Sequence, residues 1–210
     1  MKLLGPLFLT AGLVAGGAEA ARIDAVYIDK GLLGPRTAEA GALAPPFLES
    51  KLAALLTDAL VKRRIPVIEA PLSPDPRLFT ASTLYLSLSY ARIPEGTVGP
   101  QRYRGYALYV SQHDPRFEQS LACSWQIGNA LRNAGEVPWS QRVGAAPISL
   151  DPSGIRENSS LTAPKIVEGP AVFLEAGVLV DDDEIKRLGQ KMVLSKFADA
   201  IAEGVESCRL

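Results

Sequence analysis

Apolar positions in several short stretches alternate with polar ones or belong to β-branched and aromatic residues, a pattern typical of β-strands. A further stretch, AVFLEA, is almost continuously apolar, as expected for an inner strand of a sheet that is covered on both faces. These patterns predict strands at residues 22–29, 67–68, 83–93, 106–111 and 171–176.

Other stretches carry apolar residues at a period of three to four, which predicts amphipathic helices. The first covers residues 47–63, where leucines recur on one face. The second begins at Asp114, which is placed to cap the helix with Pro115 in its first position, and ends near Gly135. A last helix follows residues 181–183 and carries Val193, Phe197, Ile201 and Val205 on its apolar face.

Strands that alternate with helices predict an α/β fold with a mostly parallel central sheet and helices on both faces. Such folds place their sites at the carboxyl ends of the strands, where Asp29, Ser89 and Glu175 lie in this sequence. Residues 135–169 are rich in Gly, Pro, Ser and Asn and lack periodicity, so they are expected to form a long surface loop or a weakly structured insert.

The first twenty residues have the pattern of an export signal. Lys2 precedes a short apolar stretch at residues 3–14, and Ala18-Glu19-Ala20 offers a cleavage site before Ala21. We therefore expect a signal peptide at residues 1–20, a single domain at residues 21–210, and a periplasmic or secreted protein. An uncleaved N-terminal anchor is the alternative.

The composition of the mature domain argues against nucleic acid as a partner and against a membrane-spanning helix. The formal net charge is -1 and no predicted helix carries a basic stripe, so nucleic-acid binding is not expected. After the signal, no apolar run approaches the roughly 20 residues that a membrane-spanning helix needs. The two cysteines, Cys123 and Cys208, form either a disulfide or a buried residue and a terminal thiol, and the sequence does not choose between them.

The C-terminal part of the chain resembles the zinc-dependent N-acetylmuramoyl-L-alanine amidases of cell-wall turnover. PAVFLEAGVLVDDDEIKRLG, at residues 170–189, resembles the family segment PAVLVEIGFLSNPEDE, and FADAIAEGV resembles AEAIADGI. The resemblance implies an amidase-like α/β sandwich. It also places Glu175 at the position of the family's catalytic acid/base.

The resemblance extends toward the N-terminus, but the zinc ligands are replaced. VYIDKGLLGP resembles VVIDPGHGG and has Leu32 at the position of the first zinc histidine. YLSLSYA resembles FVSIHANA and has Ser89 at the position of the second. The family's zinc glutamate would fall at residues 44–46, so that Glu39 lies too early and Glu49 one turn too late.

A zinc hydrolase needs a metal that lowers the pKa of its bound water to about 7, usually held by three protein ligands. His113 is the only histidine of the chain, and it lies outside both histidine motifs, in the loop before a helix cap. The family's set of two histidines and one glutamate therefore cannot be assembled, and we expect no zinc and no other cofactor. Without a metal, Glu175 is expected to be an inherited carboxylate that a partner such as Lys30 or an arginine neutralises, rather than a working base.

The sequence thus predicts an exported amidase-like protein that is catalytically inactive. Its expected ligands are peptidoglycan or wall fragments, bound at Asp29, Ser89 and Tyr90, or an envelope or division protein. The tyrosines expected to line the cleft are Tyr27, Tyr90, Tyr103 and Tyr106, although buried packing is the commoner use of strand aromatics.

Two alternatives remain open. One is an active peptidoglycan amidase that uses Glu175 as general base and an oxygen-only metal site built from Asp29, Glu175 and a further carboxylate. The other is a regulatory protein that docks on a true amidase or a division protein through residues 135–169. The sequence has no glycine-rich phosphate loop, and no histidine lies near Ser87 or Ser89 to act as the base of a serine hydrolase.

Overall fold

The computed structural model describes residues 21–30, 46–69, 79–92, 99, 104–139, 152–161, 167–179 and 182–210. The predicted signal peptide, Leu32 and Tyr103 lie outside these ranges. Among the helices within them, none has the length and hydrophobicity needed to cross a membrane.

One six-stranded sheet forms the centre of the fold. Its strands are β1 (Ala25–Asp29), β2 (Val67–Glu69), β3 (Thr83–Arg92), β4 (Ala107–Val110), β5 (Ile155–Glu157) and β6 (Ala171–Leu179), in the order β2-β1-β3-β6-β4-β5. Every neighbouring pair is parallel except β4 and β6, which are antiparallel. The predicted α/β class with a mostly parallel sheet is confirmed.

Four helices accompany the sheet: α1 (Pro46–Lys62), α2 (Phe117–Asn133), α3 (Asp182–Gly189) and α4 (Lys191–Ser207). The single helix predicted at the C-terminus is therefore two helices. Gln190 separates them because its backbone is extended, with φ -72° and ψ 129°.

The two faces of the sheet have separate apolar clusters, because successive strand residues point to opposite sides. The first cluster joins strand residues such as Val26 and Leu86 to the apolar sides of all four helices. The second cluster joins Tyr85 and Phe173 to residues of connecting segments. We predicted helices on both faces, but in the described part of the chain only the first cluster receives helical side chains.

Helices α2 and α4 cross at very short distance. A Cβ atom on Gly204 would lie 2.4 Å from the Cα atom of Ile127, so only glycine fits there. Next to this crossing, Cys123 and Cys208 form a disulfide with Cα atoms 4.9 Å apart. The structure therefore decides between the two interpretations of the cysteines in favour of the bond.

The turn before α2 differs from the predicted cap. The helix begins at Phe117 rather than at Pro115, and its N-cap residue Arg116 makes no side-chain capping bond. Asp114 instead accepts hydrogen bonds from the Arg116 backbone N–H at 2.8 Å and from the Ser120 hydroxyl at 2.5 Å. Ser120 in turn accepts a bond from the backbone N–H of Ala171 at 2.8 Å, which ties α2 to the first residue of β6.

The described part of residues 135–169 contains a strand that the sequence pattern did not predict. β5 has only three residues, and it extends the sheet beyond β4. Trp139, Leu161 and Val167 from the same region are buried in the second cluster. This connection therefore covers part of the sheet face that no described helix covers.

Candidate ligand-binding cleft at the carboxyl edge of the sheet

Polar side chains meet on the second face of the sheet, toward the carboxyl ends of β1, β3 and β6. Asp29 is the last residue of β1 and pairs with Ser87 of β3. Two residues further along β3, Ser89 pairs with Glu175 of β6. Since residues two apart point to the same side, the strand register brings Asp29, Ser87, Ser89 and Glu175 together. Three of these positions were predicted as site residues.

Asp29 is buried and fixed by hydroxyl groups. It is 1% exposed, and its Oδ2 atom accepts hydrogen bonds from the Tyr85 hydroxyl at 2.5 Å and from the Ser87 hydroxyl at 3.4 Å. Burial and the negative charge of Asp29 raise the pKa of Tyr85, so the phenol remains a donor.

Glu175 is also buried, at 7% exposure, and has one direct partner. The Tyr109 hydroxyl donates a hydrogen bond to its Oε2 atom at 2.7 Å. Burial raises the pKa of Glu175, while the bond from Tyr109 and the positive charge of Arg156 oppose that rise. We expected Lys30 or an arginine to neutralise Glu175. The direct partner is instead Tyr109, and an arginine, Arg156, contributes only its positive charge.

Arg156 lies on β5 directly beside Tyr109 in the strand register. Its side chain is 3% exposed, donates a hydrogen bond to the Trp139 carbonyl oxygen, and places its guanidinium carbon 4.8 Å from the centre of the Trp139 ring. A stacked arginine is more weakly hydrated than an ammonium group, which favours its use as a buried cation. Arg156 therefore supplies positive charge to the Glu175 side of the cleft from a strand that the sequence did not reveal.

Glu49 is the carboxylate that the sequence analysis left outside the site. It lies in the first turn of α1, where its side chain accepts a hydrogen bond from the Tyr90 backbone N–H. Burial, followed by the negative charge of Asp29, raises the pKa of Glu49 to about 7. Glu49 therefore comes close to Asp29, although the sequence placed it one turn too late for the site. Its position as the one acidic residue in the first turn was the available signal.

The tyrosines expected to line the cleft are buried in the core. Tyr90 lies in the first cluster at 7% exposure, on the opposite side of the sheet from Ser89. Tyr27 packs against Tyr85 in the second cluster, with ring centroids 5.7 Å apart. The Tyr106 hydroxyl shares its single hydrogen between two carbonyl oxygens under α2. Tyr90 thus contributes its backbone N–H rather than its ring to this edge.

His113 lies at the other edge of the sheet. β4 runs antiparallel to β6, so the end of β4 lies beside the beginning of β6, and the turn that contains His113 follows it. Asp114, the next residue, is bonded through Ser120 to Ala171 at the start of β6. Cys123 and Cys208 are bonded to each other, so neither supplies a thiolate. No nitrogen or sulfur ligand from these residues reaches the cleft.

The cleft therefore does not fit the zinc that the amidase resemblance implies. Zinc sites in proteins are built mainly from histidine and cysteine, whereas the residues gathered here offer carboxylate and hydroxyl oxygens. In the described ranges, no group of three or more His, Cys, Asp or Glu side chains is placed to hold a metal ion. The arrangement is instead suited to accept hydrogen bonds from N–H or ammonium groups of a ligand.

Comparison with solved structures shows which proteins share this fold. An N-acetylmuramyl-L-alanine amidase, Ami1, from Mycobacterium abscessus matches with a TM-score of 0.64 and 15% identity over 90% of this chain and 98% of its own. An N-acetylmuramoyl-L-alanine amidase from Clostridium difficile 630 matches with a TM-score of 0.60 and 17% identity over 89% and 97%. The CwlD amidase of Clostridioides difficile, solved in complex with the GerS lipoprotein, has a TM-score of 0.60 and 14% identity over 88% and 97%.

These matches confirm the predicted resemblance at the level of the fold, across nearly the whole chain. No protein-family model and no curated protein matches the sequence. The fold is therefore that of these amidases, at 14–17% sequence identity.

Proposed function

We propose that this protein is an exported, amidase-like protein of the cell envelope that binds peptidoglycan at the carboxyl-edge cleft without hydrolysing it. The proposal includes the absence of zinc and a periplasmic or secreted location. It is supported by the shared fold, since the solved proteins with this fold are named for acting on the bond between N-acetylmuramic acid and L-alanine.

One observation carries the proposal: Ser89 stands beside Glu175 where the amidase pattern places a zinc histidine. The chain has one histidine, and it lies at the opposite edge of the sheet. Glu175 thus retains the acid/base position of the amidase pattern, while Ser89 beside it cannot bind zinc as a histidine does. A retained scaffold with this substitution favours ligand binding over hydrolysis.

The chemistry of the cleft supports the loss of hydrolysis. Zinc-bound water has a pKa near 7, whereas bulk water has a pKa of about 15.7, so a carboxylate without a metal is a poor activator of water. Glu175 also shares its Oε2 atom with Tyr109. The same carboxylate remains a good acceptor for a ligand N–H group.

Binding would use the groups that the described neighbours leave available. The Oε1 atom of Glu175 and the hydroxyl of Ser89 have no hydrogen-bond partner within the described part of the chain. Amide N–H groups of a wall peptide are matching donors. Tyr109 keeps the Glu175 carboxylate oriented while the ligand is bound.

Co-sedimentation with purified sacculi tests the proposal. We expect the wild-type protein to sediment with sacculi, and Ser89→Lys and Glu49→Lys to reduce the bound fraction, since each places a long cation in the cleft. Gln126→Lys, at an exposed position of α2, introduces a lysine elsewhere and should leave binding unchanged. Absence of sedimentation by the wild type, or equal loss in all three folded variants, would contradict the proposal.

Active hydrolysis through an oxygen-only metal site is the second candidate. The proximity of Glu49 to Asp29 is the observation that favours it, since Glu49 would be the third carboxylate of the site. These carboxylates are not grouped closely enough to hold a metal ion in the described structure, so binding of the metal would have to bring them together. Oxygen ligands suit magnesium, calcium or manganese better than zinc. Metal-dependent release of peptides from sacculi that is lost in Glu49→Gln would support this candidate over the first.

A further inference from the structure

A second concave site lies on the helical side of the sheet, next to the cleft. The cavity, which we call the α1–β2 cavity, has a volume of about 330 Å³ and lies between α1, the edge strand β2 and its neighbour β1. Ile28 and Val67 contribute to its apolar wall, and its polar lining is formed by Lys30, Ser50, Thr57 and Asp58. Lys30 directly follows Asp29, so the cavity adjoins the carboxyl edge of the sheet.

The charges of this cavity are opposite and separated. Lys30 and Asp58 both line it, yet they form no ion pair with each other within 4.0 Å. Neither makes an ion pair or a hydrogen bond with another residue that the structure describes. A cation and an anion therefore line the same half-open cavity without neutralising each other.

Two hydroxyl groups add further polar groups to the lining of the cavity. Thr57 donates its hydroxyl hydrogen to the Ala53 carbonyl oxygen at 2.9 Å, so the oxygen atom remains an acceptor. Ser50, which is exposed, offers both a donor and an acceptor. Apolar walls with a few convergent polar groups are typical of sites for small ligands.

The volume limits the size of the ligand. Sites for small molecules have volumes of about 300–1,000 Å³, and this cavity is at the lower end of that range. It suits an amino-acid derivative or a short peptide better than a length of polysaccharide.

We propose that the α1–β2 cavity binds a zwitterionic short peptide, with its carboxylate at Lys30 and its ammonium group at Asp58. Both contacts are charge-assisted hydrogen bonds, which are stronger than neutral ones and orient the ligand in one direction. The apolar wall receives the ligand's side chain. The proposal deepens the proposed function, because wall peptides carry both amino and carboxyl groups and the cavity adjoins the cleft.

Calorimetric titration of the protein with alanyl-alanine tests the inference, with N-acetylated and C-amidated alanyl-alanine as matched probes. We expect the zwitterion to bind, and each cap to weaken binding by about tenfold or more because it removes one charge. Asp58→Asn should lower the affinity for the zwitterion and make it insensitive to N-acetylation. Lys30→Met should do the same for C-amidation.

Lys62→Met is the control, because Lys62 is an exposed cation at the end of α1 outside the cavity. Equal binding of capped and uncapped peptides, no binding of alanyl-alanine at about 10 mM, or unchanged affinity in Asp58→Asn would overturn the inference. Sacculus binding by the wild type separates the two proposals. Peptide binding without sacculus binding would contradict the proposed function and retain the inference, and the reverse result would contradict only the inference.

Discussion

Replacing Tyr109 by phenylalanine removes the one hydrogen bond that a described side chain makes to the buried Glu175 carboxylate. The bond is 2.7 Å long, and both residues are almost fully buried, so water cannot easily replace the lost hydroxyl. A hydrogen bond to a charged group contributes about 1.5–3 kcal/mol to stability. We therefore expect Tyr109→Phe to lower the free energy of unfolding by about that amount at a pH above the folded-state pKa of Glu175, where the carboxylate is charged.

The destabilisation that Tyr109→Phe causes should become smaller as the pH is lowered. The folded-state pKa of Glu175 is raised by burial, so its contribution to stability decreases as the pH rises from the unfolded value of about 4.3 toward the folded value. Tyr109→Phe removes an interaction that lowers this pKa, so the decrease extends to higher pH. At about pH 3, where the carboxyl is protonated in both states, the variant should lose only a neutral bond of about 1 kcal/mol.

Urea denaturation of the wild type and variants at several pH values measures this difference. Tyr106→Phe is the matched control, because Tyr106 is equally buried and shares its hydroxyl hydrogen between the carbonyl oxygens of Gly128 and Ser153, which do not titrate. Its loss should be the same at every pH. If Tyr109→Phe shows the same flat profile as Tyr106→Phe, the described interaction between Tyr109 and a charged Glu175 is wrong.

Three further predictions concern other parts of the structure. Ser120→Ala should lower the free energy of unfolding by about 2 kcal/mol, because it removes the bonds of Ser120 to Asp114 and Ala171. Ser124→Ala on the same helix should change this free energy by less than about 0.5 kcal/mol, because the buried Ser124 hydroxyl has no partner in the described ranges. Equal effects of the two substitutions in urea denaturation would contradict this prediction. Replacing Cys123 and Cys208 by alanine should destabilise the protein by about 4–5 kcal/mol in the chain-entropy model, since the bond closes a loop with a separation of 85 residues; an unchanged melting temperature would refute it. The pKa of Glu49 is raised to about 7, so wild-type stability should fall between about pH 4.5 and pH 7, and Glu49→Gln should make that fall smaller; an identical pH profile of both proteins would contradict the raised value.

The sequence predicted the elements that have a strong and regular pattern. β3 and β6 were found because their apolar runs are long, and α1 because its leucines recur on one face. β5 was not found, because three residues within a segment rich in Gly and Pro carry no detectable period. The break at Gln190 was missed for a related reason, since the apolar positions on both sides continue at helical spacing.

The candidate site was predictable only in part, because its members depend on tertiary register. Asp29, Ser89 and Glu175 follow from the rule that sites lie at the carboxyl ends of parallel strands. The bond between Tyr109 and Glu175 requires the antiparallel pairing of β4 with β6, which no local pattern reveals. The proximity of Glu49 to Asp29 depends on how α1 packs against the sheet, which the periodicity of the helix does not specify.

The most direct test of the central claim is the release of soluble peptides from purified sacculi, measured with and without added zinc on protein whose bound metal is determined by elemental analysis. We predict that the protein contains no stoichiometric metal and releases no soluble peptides in either condition. It should bind the sacculi equally well with and without zinc. Stoichiometric zinc together with release that disappears in Glu175→Gln would contradict the account and make the protein an active amidase with a new set of ligands.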